Sequence, residues 1–231
     1  MSVFIAGYLI SALESKDYSA LLLLLIFSIA GVLGETLFSF LWHTFYERKF
    51  WSYRVDTLAD GYTSLLNFIP WAVGGMFYLN IVGKLTSQYS QPGNFHPFLP
   101  FYLVFAVAFL AGLALQVLIF GLILKGRKFK DVSFFNYFFF CFPGVLAIAL
   151  VAVLYGKIMI ALAVGFGLIA SAAEYLFGKS VEFFLSKKFW TYNYWAFDNG
   201  HFTPLSIIPF ALGGFYFWGI ALCFGELIRI F

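Results

Sequence analysis

Glu35 and Glu174 each stand about halfway along a long apolar run, and they are 139 positions apart. An ionised carboxylate at the centre of a bilayer costs roughly 3 kcal/mol or more, so such a group is paired, protonated or turned towards a cavity. Two readings follow. A neutral Glu can hydrogen-bond across helices and serve packing alone, or the two carboxylates can bind a proton, a cation or a polar headgroup. Ser28, Ser39, Ser171 and Gln116 fall within the same kind of apolar run and could complete a polar interior. Glu35, Glu174 and Gln116 are therefore the candidate ligand- or ion-binding residues.

The two glutamates open two copies of one segment, 35–75 and 174–214, which align without a gap and share 15 of 41 residues. Each copy carries the motif K-F-W-[ST]-Y: Lys49, Phe50, Trp51 and Tyr53 match Lys188, Phe189, Trp190 and Tyr192. Ten residues beyond each Trp comes a glycine, Gly61 or Gly200, and later Pro70 or Pro209 and a Gly-Gly pair. Aromatic rings beside basic residues suit a membrane interface, and anchoring is the simple account of these loops. Their length and turn residues also suit a cover over the mouth of a site, or a docking element. On that reading Trp51, Tyr53, Asp60, Trp190, Tyr192 and Asp198 are the candidate interface or gating residues. Proline in mid-span removes a helical hydrogen bond, so Pro70 and Pro209 could break helices whose freed carbonyls line the site.

The elements that must position these groups are transmembrane helices. The chain is 62% hydrophobic and 11% charged, with a mean hydropathy of +0.90, and a soluble surface needs more charge than that. With about 20 apolar residues needed per crossing, the runs 21–46, 65–82, 101–124, 137–155, 158–185 and 204–231 give about six spans. Residues 3–13 are apolar but too short to cross. The expected fold is an all-α integral membrane protein, one polytopic domain over 1–231. Its repeats are about 1–85 and about 137–231, with a connector over about 86–136. Lys and Arg concentrate after the first, third and fifth runs, which predicts cytoplasmic repeat loops and both termini outside. An even number of spans separates the copies, so the repeat is expected to be parallel, its axis along the membrane normal. The 33 Phe and 14 Tyr fit lipid-facing rings with interfacial belts, or an aromatic slot for a long apolar ligand.

Several classes of function lack support. Basic residues sit in short loops beside spans, so no nucleic acid is expected as a partner. Gly178-Lys179-Ser180 lacks the upstream glycine of a phosphate-binding loop, and no intrinsic ATP site is expected. His43, His96 and His201 show no metal-ligand spacing, Cys141 and Cys223 are isolated, and no nucleophile motif appears. No metal, cofactor or catalytic residue is assigned. The first residues lack a basic stretch and a cleavage site, so a cleaved signal peptide is not expected.

Around the second loop the chain resembles the family of small bacterial membrane proteins classed as type IV ABC-transporter permease-like. The residues concerned are Glu174, Trp190, Tyr192, Phe197-Asp198-Asn199-Gly200 and Ser206. Where the family has W-D-Y this chain has Trp190-Thr191-Tyr192, and the family's Trp-Gly falls at Pro209-Phe210. The resemblance implies a permease or a membrane partner. A fainter similarity is to the repeated carotenoid cyclase domains, whose Pro-x-Glu-Glu is replaced by Pro70-Trp71-Ala72-Val73 and Pro209-Phe210-Ala211-Leu212. The leading expectation is a non-catalytic permease-like or scaffold subunit in a bacterial inner membrane, with lipids and other membrane subunits as partners. The alternative is an embedded enzyme or binding protein for a lipid, isoprenoid or carotenoid-like ligand.

Overall fold

The computed structural model describes residues 18–77 and 98–230, with Gly7, Ile10 and Glu14 ahead of them. The short apolar segment 3–13 apart from Gly7 and Ile10, the end of the second predicted span and His96 lie outside the described residues.

Helix α1, Ser19–Phe45, is 27 residues long, about 40 Å at 1.5 Å per residue, enough to cross a hydrocarbon layer of about 30 Å. Its sides are inverted relative to a soluble helix. Leu22, Leu25, Ile29, Leu33, Leu37 and Phe40 form an exposed stripe at three- and four-residue spacing. Ser28, Gly31, Glu35, Ser39 and Trp42 face inwards. A chain that exposes its leucines and buries its serines and a glutamate is built for an apolar solvent.

Four helices among the described residues are long and apolar enough to span: Ser19–Phe45, Leu103–Ile123, Phe134–Leu154 and Ile158–Leu185. They belong to α1, to α3 (Phe98–Leu118, running into a wider π turn over Ile119–Ile123), to α4 (Phe134–Tyr155) and to α5 (Ile158–Leu185). The other two predicted spans contain shorter apolar stretches, Leu65–Phe77 (α2) and Pro204–Phe217, the latter leading through α6, Ile207–Ile230. Among the described residues each of the six predicted runs thus contains a helix, and four meet the length and composition of a crossing.

The described residues are mostly helical, consistent with an all-α membrane protein, and the loops after α1 and α5 add short antiparallel strands: β1 (Trp51–Tyr53), β2 (Thr57–Leu58), β3 (Thr63–Ser64) and β4 (Trp190–Tyr192). One correction concerns the prolines. Pro70 is the third residue of the α-helical part of α2, after a tight 3-10 turn over Leu65–Asn67, and Pro209 is the third residue of α6. At a helix start the missing N–H has no intrahelical acceptor to lose, so neither residue breaks a span. Ser64 and Thr203 cap these entries by accepting from Leu66 N and Leu205 N.

Small residues let the helices approach closely. A Cβ at Gly31 would lie 2.3 Å from the Trp71 ring, and one at Gly167 would lie 2.4 Å from the Ile207 carbonyl oxygen. Gly75 against Phe27 and Gly214 against Phe166 are the same contact in the two sequence copies. Where the loops meet the helix ends, Trp42, Phe45, Tyr46, Phe50, Tyr137, Phe140, Phe189, Trp190, Tyr192 and Tyr194 pack into one buried aromatic cluster. Much of the aromatic content is therefore a core under the loops, with rings meeting edge to face or offset.

Candidate functional site

The two loops are stitched to each other. β1 pairs with β4 in the register Trp51↔Tyr192, Ser52↔Thr191, Tyr53↔Trp190. Ser52 and Thr191 are the same position of the two sequence copies, so the centre of the ladder lies between equivalent residues. Arg54 N–H donates to the Phe189 carbonyl at 2.9 Å and Asn193 N–H to the Phe50 carbonyl at 2.9 Å, extending the ladder both ways. The Asn193 amide also reaches the Lys49 carbonyl at 2.8 Å, and Tyr194 OH reaches the Arg48 carbonyl at 3.0 Å. The loops thus close into one cap at the end of the bundle where α1 and α5 finish.

Alternation along each strand sends Tyr53 and Tyr192 inwards. Tyr53 OH donates to Glu35 Oε1, and Tyr192 OH donates to Glu174 Oε2 at 2.5 Å. Glu35 lies ten residues before the end of α1 and Glu174 eleven before the end of α5, about 15 Å into the helices. The cap therefore dips between the helices. Burial, then the adjacent carboxylate, push both phenols well above the usual tyrosine range, so both remain O–H donors.

Around Glu35 four donors converge. Besides Tyr53, its Oε2 accepts from Thr63 Oγ1 at 2.5 Å, Asn67 Nδ2 at 2.7 Å and Trp71 Nε1 at 3.3 Å. The four donors are all neutral, and the side chain is buried. Thr63, Asn67 and Trp71 were not singled out from the sequence. Asn67 and Trp71, four residues apart at the start of α2, fall on one side of a helical turn, and Thr63 precedes them on β3. Glu174 is different. It is half-buried, and Tyr192 is its hydrogen-bond partner among the described residues. The positions matching Thr63, Asn67 and Trp71 are Phe202, Ser206 and Phe210, and Ser206 is engaged with Ser171 Oγ at 3.1 Å and the Thr203 carbonyl at 2.7 Å.

Further hydrogen bonds recur at matched positions with changed chemistry. His43 Nδ1 and Tyr62 OH are 2.6 Å apart in the first copy. Their counterparts Glu182 Oε2 and His201 Nε2 are also 2.6 Å apart. Lys49 Nζ donates to the Asp60 carbonyl, as Lys188 Nζ does to the Asn199 carbonyl. Both loops turn through left-handed residues at the same places: Asp56 and Trp195, Ala59 and Asp198, Asp60 and Asn199, then Gly61 at φ 77° and Gly200 at φ 91°. The two glycines supply the most extreme of these turns at least cost.

The remaining sequence candidates fall elsewhere. Gln116 is buried, and its amide donates to the Phe139 and Phe140 carbonyls at 2.7 and 2.8 Å. Pro143 explains this, because its absent N–H leaves the Phe139 carbonyl without a helical donor. The structure does not bring Gln116 to the carboxylates. Trp51 is half-buried and donates its ring N–H to the Tyr62 carbonyl at 2.8 Å, while Trp190 is buried. Asp60 is exposed and pairs with Lys49 at 3.0 Å. Asp198 pairs with Lys179 at 3.0 Å and accepts from Tyr175 OH at 2.8 Å, and these donors hold its carboxyl below the usual Asp range. Ser28 and Ser39 are buried on α1, the latter with no partner for its hydroxyl among the described residues. No family model matches the chain, and no curated protein or solved structure is similar to it.

Proposed function

We propose that the protein is a non-catalytic, permease-like or scaffold subunit of a membrane assembly, built as a parallel duplication around a polar site within the bilayer. The observation that carries this reading is the doubled Tyr–Glu bond. Each copy lowers a tyrosine from its loop onto a carboxylate inside a span, and the two loops are joined through Ser52 and Thr191. A two-fold axis through that ladder, along the membrane normal, would relate the halves, with α1 matching α5 and α2 matching α6. Such an arrangement places two acidic groups near the middle of the molecule, where a proton, a cation or a polar headgroup is better accommodated than against lipid. The loop side is assigned to the cytoplasm by the basic residues that flank it, with both termini opposite.

A polar centre that is capped on one side, and helices that present apolar stripes outwards, suit a chain embedded among lipids and other subunits. Gentle purification from the native membrane, with identification of everything retained, tests this. Co-purifying membrane subunits are the expected result; a clean monomer holding neither partner nor ligand contradicts it.

A further inference from the structure

We propose that the two carboxylates have divided their roles: Glu35 is a fixed structural acceptor, and Glu174 is the exchangeable one, binding a proton within the membrane. This rests on the reading of the pair as a polar site and states which half of it works. Four neutral donors converge on Glu35, Tyr53 on Oε1 and Thr63, Asn67 and Trp71 on Oε2, and hydrogen bonds donated to a carboxylate favour its ionised form. A proton placed there would weaken a set of buried bonds that Glu174 does not have. At Glu174 only one oxygen carries a hydrogen bond among the described residues, and the side chain is half-buried. A proton can be added to its other oxygen while the Tyr192 bond is kept.

The groups around Glu174 fit this role. Glu35, Tyr53 and Tyr192 are the titratable groups that act on it across the cap, and none of them is a cation that would hold it ionised. Along the same face of α5, at four-residue steps, come Gly178 and then Glu182. Glu182 is partly exposed and bonds the buried His201, whose Nδ1 has no partner among the described residues. A Cβ at Gly178 would lie 3.3 Å from that nitrogen, so His201 turns a free polar atom onto α5 one helical turn from Glu174. The ring N–H of the buried Trp190 likewise has no partner among the described residues, and its ring also packs on Gly178. The second copy therefore has open polar atoms between the loop surface and its carboxylate. Lys179, on the same turns of α5, is engaged with Asp198 at the surface.

Dicyclohexylcarbodiimide, an apolar reagent that attacks protonated carboxyls within membranes, provides the test. The full chain is labelled in native membranes and the adducts are mapped by peptide mass. Glu174 should be labelled in preference to Glu35 by about tenfold or more, since four donors favour the ionised form of Glu35 and one favours that of Glu174. The yield at Glu174 should fall as the medium is made alkaline, and Glu174→Gln should abolish it. Because both sites are compared in the unmodified protein, the result does not depend on any variant folding. Equal labelling, preference for Glu35, no adduct at Glu174, or a yield indifferent to pH would overturn the assignment. Any of those results would leave the membrane-assembly reading intact, as that is tested by what co-purifies.

Discussion

Replacing each carboxylate by leucine should expose their inequality as a difference in stability. Glu35→Leu leaves Tyr53, Thr63, Asn67 and Trp71 without their common acceptor. Asn67 retains Thr63 Oγ1 at 3.2 Å, and the threonine hydroxyl can rotate, so the Tyr53 O–H and the Trp71 N–H are the donors left stranded. At about 1–3 kcal/mol for each buried unsatisfied group, the loss is about 2–6 kcal/mol. Glu174→Leu strands only Tyr192 O–H, a loss of about 1–3 kcal/mol. Both substitutions also exchange a polar group for an apolar one within the bilayer, and that gain largely cancels between them. The comparison should therefore show Glu35→Leu the more destabilised by about 1–3 kcal/mol. Thermal unfolding in detergent, followed by the fluorescence of the six tryptophans, measures it. Equal stabilities, or a larger loss at Glu174, would refute the reasoning from hydrogen-bond counts.

Three further outcomes are expected. Gly167→Ala places a Cβ 2.4 Å from the Ile207 carbonyl oxygen, where backbone must shift, and should lower stability in the same assay by about 1–3 kcal/mol. Gln116→Leu leaves the Phe139 and Phe140 carbonyls without their side-chain donor and should cost about 1–3 kcal/mol, without changing carbodiimide labelling of Glu174. Asp198 has a folded pKa below its ordinary 3.8 because Lys179 and Tyr175 donate to it. Its contribution to loop stability is therefore present above the ordinary Asp value and is lost as the pH falls through the lower folded value. A carboxyl NMR titration should show Asp198 ionising later, at higher pH, in Lys179→Met than in the unmodified chain.

The helical framework was legible because hydrophobic runs of this length have few alternatives, and the boundaries of α5 coincide with the predicted run 158–185. Charge inside an apolar run marked Glu35 and Glu174, and duplication marked Tyr53 and Tyr192. Their pairing was not legible, since it depends on loops that turn back between helices, a tertiary event with no local pattern. Thr63, Asn67 and Trp71 were hidden by the duplication itself: the second copy replaces all three, so comparing copies directed attention away from them. The same holds for His43–Tyr62 and Glu182–His201, where the contact is kept while both partners change. Gln116 stood out as a polar residue in a span, and its role became readable only once α3 lay against the Phe139 carbonyl freed by Pro143. The prolines at 70 and 209 misled because a helix start within an apolar run looks, in sequence, like the middle of a span.

Two loop tyrosines, joined across one ladder, cap two carboxylates, and we propose that this cap lies within a membrane assembly. A density map of the particle extracted gently from its own membrane is the decisive measurement. It should show β1 paired with β4, the Tyr53 and Tyr192 hydroxyls on Glu35 and Glu174, and density for further subunits against the apolar stripes. A solitary chain whose loops lie apart, with both tyrosines turned to water, would contradict it.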